Sequence, residues 1–302
     1  MHLCDAHCHY FSAGFFETLA AGMSNPPGGD PSVALPRQLG WDAPGTAETL
    51  ADRWAAELNR HGIERAALIA SIPGDEASVA AAVVRYPQRF TGFFMLDPTR
   101  EDAAVRVTRA FHELGLRGVC LFPAMHHYRA DDDRVLRIFE LAAACPGAAV
   151  FVHCGVLSIG VRQKLGLPSR FDIRFGNPLA VRVAASTFSH LPVIIPHFGA
   201  GLFREALMAA DGIPNIYLDT SSSNSWMKYH PGLTLDEVFR RALHVVGAER
   251  LLFGTDSSSF PRGWQRSIFE AQQSALEAVG LAETDQQKIF AGNFVRLFGS
   301  GV

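Results

Sequence analysis

Two histidines one residue apart, His7 and His9, end the short apolar run that starts at Leu3. In an extended strand the side chains at i and i+2 project to the same side, so both imidazoles can converge on one point, and a metal ion suits that point. Alone the pair is a weak signal, because His-x-His also arises from packing. Three more residues give it weight: His153 and His197 end apolar runs, and Asp256 follows one. Two or three imidazoles with one carboxylate suit zinc or a neighbouring divalent ion that keeps a position for water. Such an ion can lower the pKa of its water to about 7. The carboxylate can accept the proton, and a nearby histidine can orient or relay it.

These residues need a scaffold that brings distant segments to one rim. Apolar runs that read as strands begin near residues 3, 66, 90, 117, 149, 192, 215 and 250. Between them the pattern turns helical: near Thr46 to His61 with Gly62 as a stop, Glu76 to Tyr86, Asp102 to Leu114, Asp133 to Ala144, Pro178 to Ser189, Leu202 to Ala210 and Leu235 to Val246. Two helices, near Trp264 to Val279 and Asp285 to Phe298, follow the last strand. Strands buried on both faces read as continuous apolar runs, and eight of them alternating with helices imply a closed (β/α)8 TIM barrel. A doubly wound open sheet is the alternative, but no Gly-x-Gly-x-x-Gly follows an early strand. Two long segments, Phe11 to Thr46 and Val156 to Asn177, read as irregular insertions leaving the C-terminal ends of strands, where lids and binding loops sit. No domain boundary interrupts residues 1–302, so the expectation is a single domain with long rim insertions.

The composition is 48% hydrophobic and 19% charged, with 27 basic and 30 acidic residues. That balance gives no field for nucleic acid or an anionic membrane. No apolar run reaches the roughly 18 residues of a spanning helix, and no basic start with an apolar core opens the chain, so a cytoplasmic location is expected. Five cysteines, Cys4, Cys8, Cys120, Cys145 and Cys154, match no zinc-knuckle spacing and read as buried free thiols. Strand alternation turns Cys8 and Cys154 away from the histidines beside them, which favours packing over nucleophilic chemistry.

Four ordered segments, Asp5-Ala6-His7-Cys8-His9, Val152-His153-Cys154-Gly155, Pro196-His197-Phe198-Gly199-Ala200-Gly201 and Phe253-Gly254-Thr255-Asp256, resemble the signature strands of the amidohydrolase superfamily. The likeness is to its amidohydrolase-related branch, which includes aminocarboxymuconate semialdehyde decarboxylases, and it runs in register over nearly the whole chain. It implies that His7, His9, His153 and Asp256 bind the metal and that His197 lies close by as an acid/base or supporting group. Many members of the superfamily bridge two metals with a carboxylated lysine at the end of strand 4. Here that segment, Gly118 to Pro123, has none, and the chain's lysines are Lys164, Lys228 and Lys288. One ion is expected, zinc first and manganese second.

Other rim residues carry no assignment. His126-His127 reads as solvated loop, and Tyr128, Arg170, Arg174, Trp226 and Arg262 as rim-loop groups for which substrate contact and surface pairing are equal readings. Asp219 either supports a ligand or caps the turn after strand 7. His197 itself stands before a Gly-rich turn that a tight strand-to-helix connection needs in any case. The expected activity is metal-dependent hydrolysis of a small ester, lactone or amide, with Asp256 taking the proton from water. The alternative is a non-oxidative decarboxylase of a small unsaturated or aromatic acid, a hydratase on the same scaffold is a third, smaller one, and a metal-binding barrel without catalysis is the minor reading from a different class. The expected partner is a small, partly apolar anion; a homodimer is the alternative to a monomer.

Overall fold

Eight parallel strands alternate with helices around one axis: β1 (Cys4–Tyr10), β2 (Arg65–Ala70), β3 (Phe90–Leu96), β4 (Gly118–Leu121), β5 (Ala149–Val152), β6 (Val193–Ile195), β7 (Ile216–Asp219) and β8 (Leu251–Leu252). This is the barrel expected from the sequence, seen in a computed structural model that describes residues 2–222 and 224–299. The seam between β8 and β1 is closed by the segment after β8. Ala6 N–H donates to the Phe253 carbonyl (2.8 Å), Asp256 N–H to His7 (2.9 Å) and His9 N–H to Ser257 (2.7 Å). No helix among the described residues is long and apolar enough to cross a membrane.

One layer of side chains fills the barrel, including Ala67, Phe93, Cys120, Phe151 and Ile194, and Phe294 and Phe298 close its floor. A second layer lies between sheet and helices and contains Cys8, Trp54, Phe94, Phe139 and Phe239. The alternation of β1 sorts its residues between these layers, with one irregularity. Asp5 pairs with Ala66 and Cys8 with Leu68, so Ala6 and His7 together oppose Ala67 in a bulge. Unbroken alternation would put Asp5, His7 and His9 on one face. The bulge sends Asp5 outward instead and leaves both histidines facing the barrel.

The helix α3 (Ala47–His61) starts and stops at its caps: Thr46 Oγ1 accepts from Thr49 N–H, and Gly62 takes the left-handed conformation at φ 69°. The helices α4 (Glu76–Arg85) and α5 (Ala103–His112) lie where the pattern places them, without a side-chain cap. The two insertions differ from expectation, because neither is irregular throughout. Residues 11–46 hold α1 (Ala13–Ala21), capped by Ser12, and α2 (Pro31–Leu39), capped by Asp30 with Pro31 at its first position. Residues 156–177 hold a short helix, Gly160–Lys164, and a single 3-10 turn, Ile173–Phe175. Phe15, Phe16, Leu19 and Leu35 from the first insertion pack with Val161, Leu165 and Leu167 from the second in a separate apolar cluster. At about 1.5–3 kcal/mol for each large side chain buried, this cluster holds the two insertions together as one lid over the rim.

Candidate metal centre

Three of the expected residues converge. Donor atoms of His7, His9 and Asp256 all lie within 4.8 Å of one another. His7 Nε2 is 3.4 Å from His9 Nε2, and Asp256 Oδ1 is 3.6 Å from the first and 3.0 Å from the second. The backbone of Asp256 is in the left-handed region (φ 60°), which aspartate tolerates better than most residues, and this aims its carboxylate across the seam.

Hydrogen bonds on the far side of each ring fix which nitrogen faces the gap. Asp219 Oδ2 sits 2.7 Å from His7 Nδ1 in a fully buried pair, so Nδ1 carries the proton. Ser71 Oγ donates to the Ile69 carbonyl (2.9 Å) and so accepts from His9 Nδ1 at 2.7 Å. With both rings neutral, two Nε2 lone pairs and a carboxylate oxygen then point into one space without a proton among them. Three acceptors at these separations repel unless a cation lies between them, so the residues fit a metal ion. Burial works against ionisation of Asp256, but the imidazoles of His9, His7 and His197 gathered around it outweigh this and hold the carboxyl below its usual range. Burial also opposes charge on His7, and there the Asp219 carboxylate wins and raises the imidazole, so a cation in the gap takes the place of a proton that these groups would otherwise share.

His153 stands beside this group rather than within it. Its ring stacks on Phe122 (5.4 Å between centroids) and lies 5.3 Å from the ring of His197. Its Nδ1 is buried with no hydrogen-bond partner among the described residues, and burial, with His197 and His7 behind it, pushes its pKa well below the ordinary value. In the tautomer with its proton on Nε2, this neutral ring offers Nδ1 as a free electron-pair donor. His197 is oriented by Ser221, whose carbonyl lies 3.2 Å and hydroxyl 2.9 Å from its Nδ1. The carbonyl can only accept, so Nδ1 bears the proton and Nε2 is left as the acceptor. Burial lowers the pKa of His197 and keeps it neutral. His197, Phe198 and Ala200 all have φ between 44° and 55°, so this turn is bent for placement of the ring rather than for local comfort.

Residues that the sequence left unassigned supply the supports. Asp219 does both jobs considered for it: Oδ2 accepts from His7 Nδ1 at 2.7 Å and Oδ1 accepts from Ser221 N–H at 2.6 Å. Asp5 accepts from His7 N–H (2.9 Å), Thr255 Oγ1 (2.6 Å), Thr255 N–H (3.2 Å) and Trp264 Nε1 (2.7 Å), which ties the ligand strand to the segment that carries Asp256. Burial pushes its carboxyl up to about 6 against the hydrogen bonds from Thr255 Oγ1, His7 N–H and Trp264 Nε1. Ser71 was missed, because a serine after an apolar strand carries no sequence signal of its own. Gly254 leaves the room this network needs: a Cβ there would lie 2.9 Å from Asp219 Oδ1, His7 Cβ and Ser221 Cβ.

The group opens into a cavity of about 440 Å³ walled by Phe11, Phe15, Trp41, Met95 and Phe122, with Lys164 and Arg262 also lining it. Arg262 is thus the one rim-loop candidate that reaches the cavity. Arg174 pairs with Asp172, and Arg170 offers its carbonyl to His127 Nε2 at 2.7 Å. Tyr128 and Trp226 are buried in the packing outside the barrel, and His126 is partly buried rather than solvated, as burial of its Nδ1 requires. All five cysteines are free and buried, and burial raises the thiols of Cys4, Cys8, Cys120 and Cys154, as inert packing groups require.

Solved structures share this architecture across 99% of the chain. A 5-carboxyvanillate decarboxylase from Novosphingobium aromaticivorans with bound manganese has a TM-score of 0.66 at 15% identity, over 97% of its own chain. An amidohydrolase from Burkholderia multivorans with bound zinc has a TM-score of 0.64 at 15% identity, over 99% of its chain. A probable 2-pyrone-4,6-dicarboxylic acid hydrolase from Acinetobacter baumannii has a TM-score of 0.61 at 15% identity, over its full length. At such identities the likeness carries the fold alone. No curated protein sequence matches the chain significantly. A sequence model of the amidohydrolase family matches residues 4–300, and the chain belongs to that family.

Proposed function

We propose that the protein is a metal-dependent hydrolase of a small ester, lactone or amide, with one divalent ion, zinc before manganese, on His7, His9, His153 and Asp256. The observation that carries this is the meeting of three proton-free acceptors at the floor of an aromatic-walled cavity, with the orphaned nitrogen of His153 beside them. When bound, the ion supplies Lewis acidity toward a carbonyl and acidifies water. The chain does the rest. Asp219 and Ser71 keep His7 and His9 in the tautomers that present Nε2. Asp256, held ionised, accepts a proton from the attacking water and returns it to the leaving oxygen or nitrogen as the acyl bond breaks. His197 offers Nε2 as a neutral acceptor that steadies the polar end of the substrate. The aromatic walls keep bulk water from the reacting end. The absence of lysine after β4 supports one ion rather than two.

Decarboxylation is the second reading, favoured by the structural likeness to a 5-carboxyvanillate decarboxylase and by walls suited to a flat ring. Metal analysis of the purified protein comes first, and absence of both bound metal and chelator-sensitive activity overturns both readings. A panel of lactones and aromatic or unsaturated acids, followed for acid release and for CO2, then separates them. CO2 release without uptake of water removes the hydrolase.

A further inference from the structure

The mouth of the cavity carries two cations that no acid among the described residues answers. Lys164, at the end of the short helix of the second insertion, makes no ion pair among the described residues, and its Nζ lies 5.6 Å from the centroid of Trp41. Arg262, in the segment after Asp256, donates from Nη2 to Ser258 Oγ at 2.7 Å and makes no ion pair among the described residues. Several other long cations are tied down. Lys288 pairs with Glu249 and Asp285, Arg106 with Glu76, and Arg182 and Arg250 with backbone carbonyls. Among the described residues Asp256 is the one acid lining the cavity, and it is committed to the floor.

Between floor and mouth runs a ladder of rings. The ring of His9 is 5.7 Å from that of Phe11, Phe11 is stacked on Phe15 at 4.0 Å and lies 6.1 Å from Trp41, and Trp41 carries the Lys164 ammonium. Flat aromatic faces favour a flat guest, and a cation at the far end of an apolar slot favours an anion there. We propose that Lys164 and Arg262 form a carboxylate clamp, so that the substrate is a planar, ring-sized acid held by its carboxylate at the mouth while its reacting group lies on the floor. The clamp selects substrate; it does not take part in bond breaking. The assignment of the floor as the reacting end rests on the proposed function, but the clamp itself is a binding site and is tested by binding.

Isothermal titration calorimetry on the metal-loaded protein, with isophthalate and its neutral-ended partner 3-carbamoylbenzoate as probes, makes the test. Isophthalate is expected to bind the wild type more tightly than 3-carbamoylbenzoate. In K164M and R262M its affinity falls about tenfold each, the value of one charge-assisted contact at a solvent-exposed mouth, while K164R retains it. The preference for isophthalate over 3-carbamoylbenzoate disappears in the double variant. Equal affinity of isophthalate for wild type and double variant, or no isophthalate binding to the wild type at millimolar concentration, overturns the clamp. Repeating the titration after chelation keeps the two readings apart. Loss of affinity on metal removal but none in K164M or R262M sinks the clamp and leaves the metal centre standing. The opposite pattern, affinity kept after chelation and lost in K164M and R262M, supports the clamp.

Discussion

Replacing Asp219 by asparagine tests the metal centre through a residue that does not touch the ion's space. Asp219 is fully buried; Oδ1 accepts from Ser221 N–H at 2.6 Å and Oδ2 from His7 Nδ1 at 2.7 Å. Asparagine has the same shape but one acceptor. If its oxygen keeps the backbone N–H of Ser221, its amide N–H2 faces a protonated Nδ1, and two donors oppose each other. Relief comes when His7 moves its proton to Nε2, which removes the lone pair that faces His9 and Asp256. A charge-assisted hydrogen bond of about 1.5–3 kcal/mol is lost, and supports of this kind are worth about 10–100-fold in metal affinity. The upper part of that range is expected, because the change alters the tautomer as well as the strength of the ligand. Zinc affinity is measured by competition with a chromophoric chelator, alongside circular dichroism to show that D219N is folded. A folded D219N variant that binds zinc within about threefold of the wild type would refute the tautomer reasoning.

Three more outcomes follow from the same geometry. In G254A the new methyl meets Asp219 Oδ1, His7 Cβ and Ser221 Cβ at 2.9 Å, so zinc affinity falls by about tenfold or more; unchanged affinity counts against the network. Phe151 is 1% exposed in the barrel core and packs edge-on against His7 at 5.1 Å between centroids, so F151A costs about 3–5 kcal/mol in urea unfolding, and a loss under about 1 kcal/mol contradicts this packing. Burial raises the carboxyl of Asp75, which accepts from Ser12 Oγ at 2.6 Å. A carboxyl raised in the fold favours the folded state when protonated, and this contribution is lost as pH rises from the ordinary carboxylate range, about 4, through the raised value. D75N is therefore expected to gain stability relative to wild type on going from acid to neutral pH. A difference in melting temperature that stays constant with pH would sink this reading.

The barrel was legible because its strands are buried on both faces, and runs such as Ala66 to Ala70 and Phe90 to Leu96 have little else to be. Helix limits were legible where a cap is chemical, as at Thr46 and Gly62. The lid was not. Phe11 to Thr46 read as one irregular stretch, yet proline is welcome in the first turn of α2, and the apolar face of α1 at Phe15, Phe16, Leu19 and Ala20 finds its partner only in residues 161–167, far along the chain. At the centre, the residue types of His7, His9 and Asp256 announced themselves, whereas Ser71 and the role of Asp5 depend on contacts that periodicity cannot encode. The bulge at Ala6 and His7 is the sharpest case, since one extra residue reverses the face of Asp5 without leaving a mark on composition.

The seam between β8 and β1 bears on how the protein comes into being. Thr255 and Asp5, which join across it, are 250 residues apart. At about 5–20 residues per second, synthesis needs roughly 12–50 s to deliver the second side of the centre after the first has emerged. Through that interval β1 has β2 as a neighbour on one edge and nothing of its own chain on the other. Its unpaired backbone and its two cysteines and two histidines are then open to stray strands, oxidants and ions. The donors of the proposed centre reach their final geometry only once the circle is shut, so on the proposed function capture of an ion is expected late in folding, and a chain stopped before Asp256 is expected to keep the histidine pair without the site.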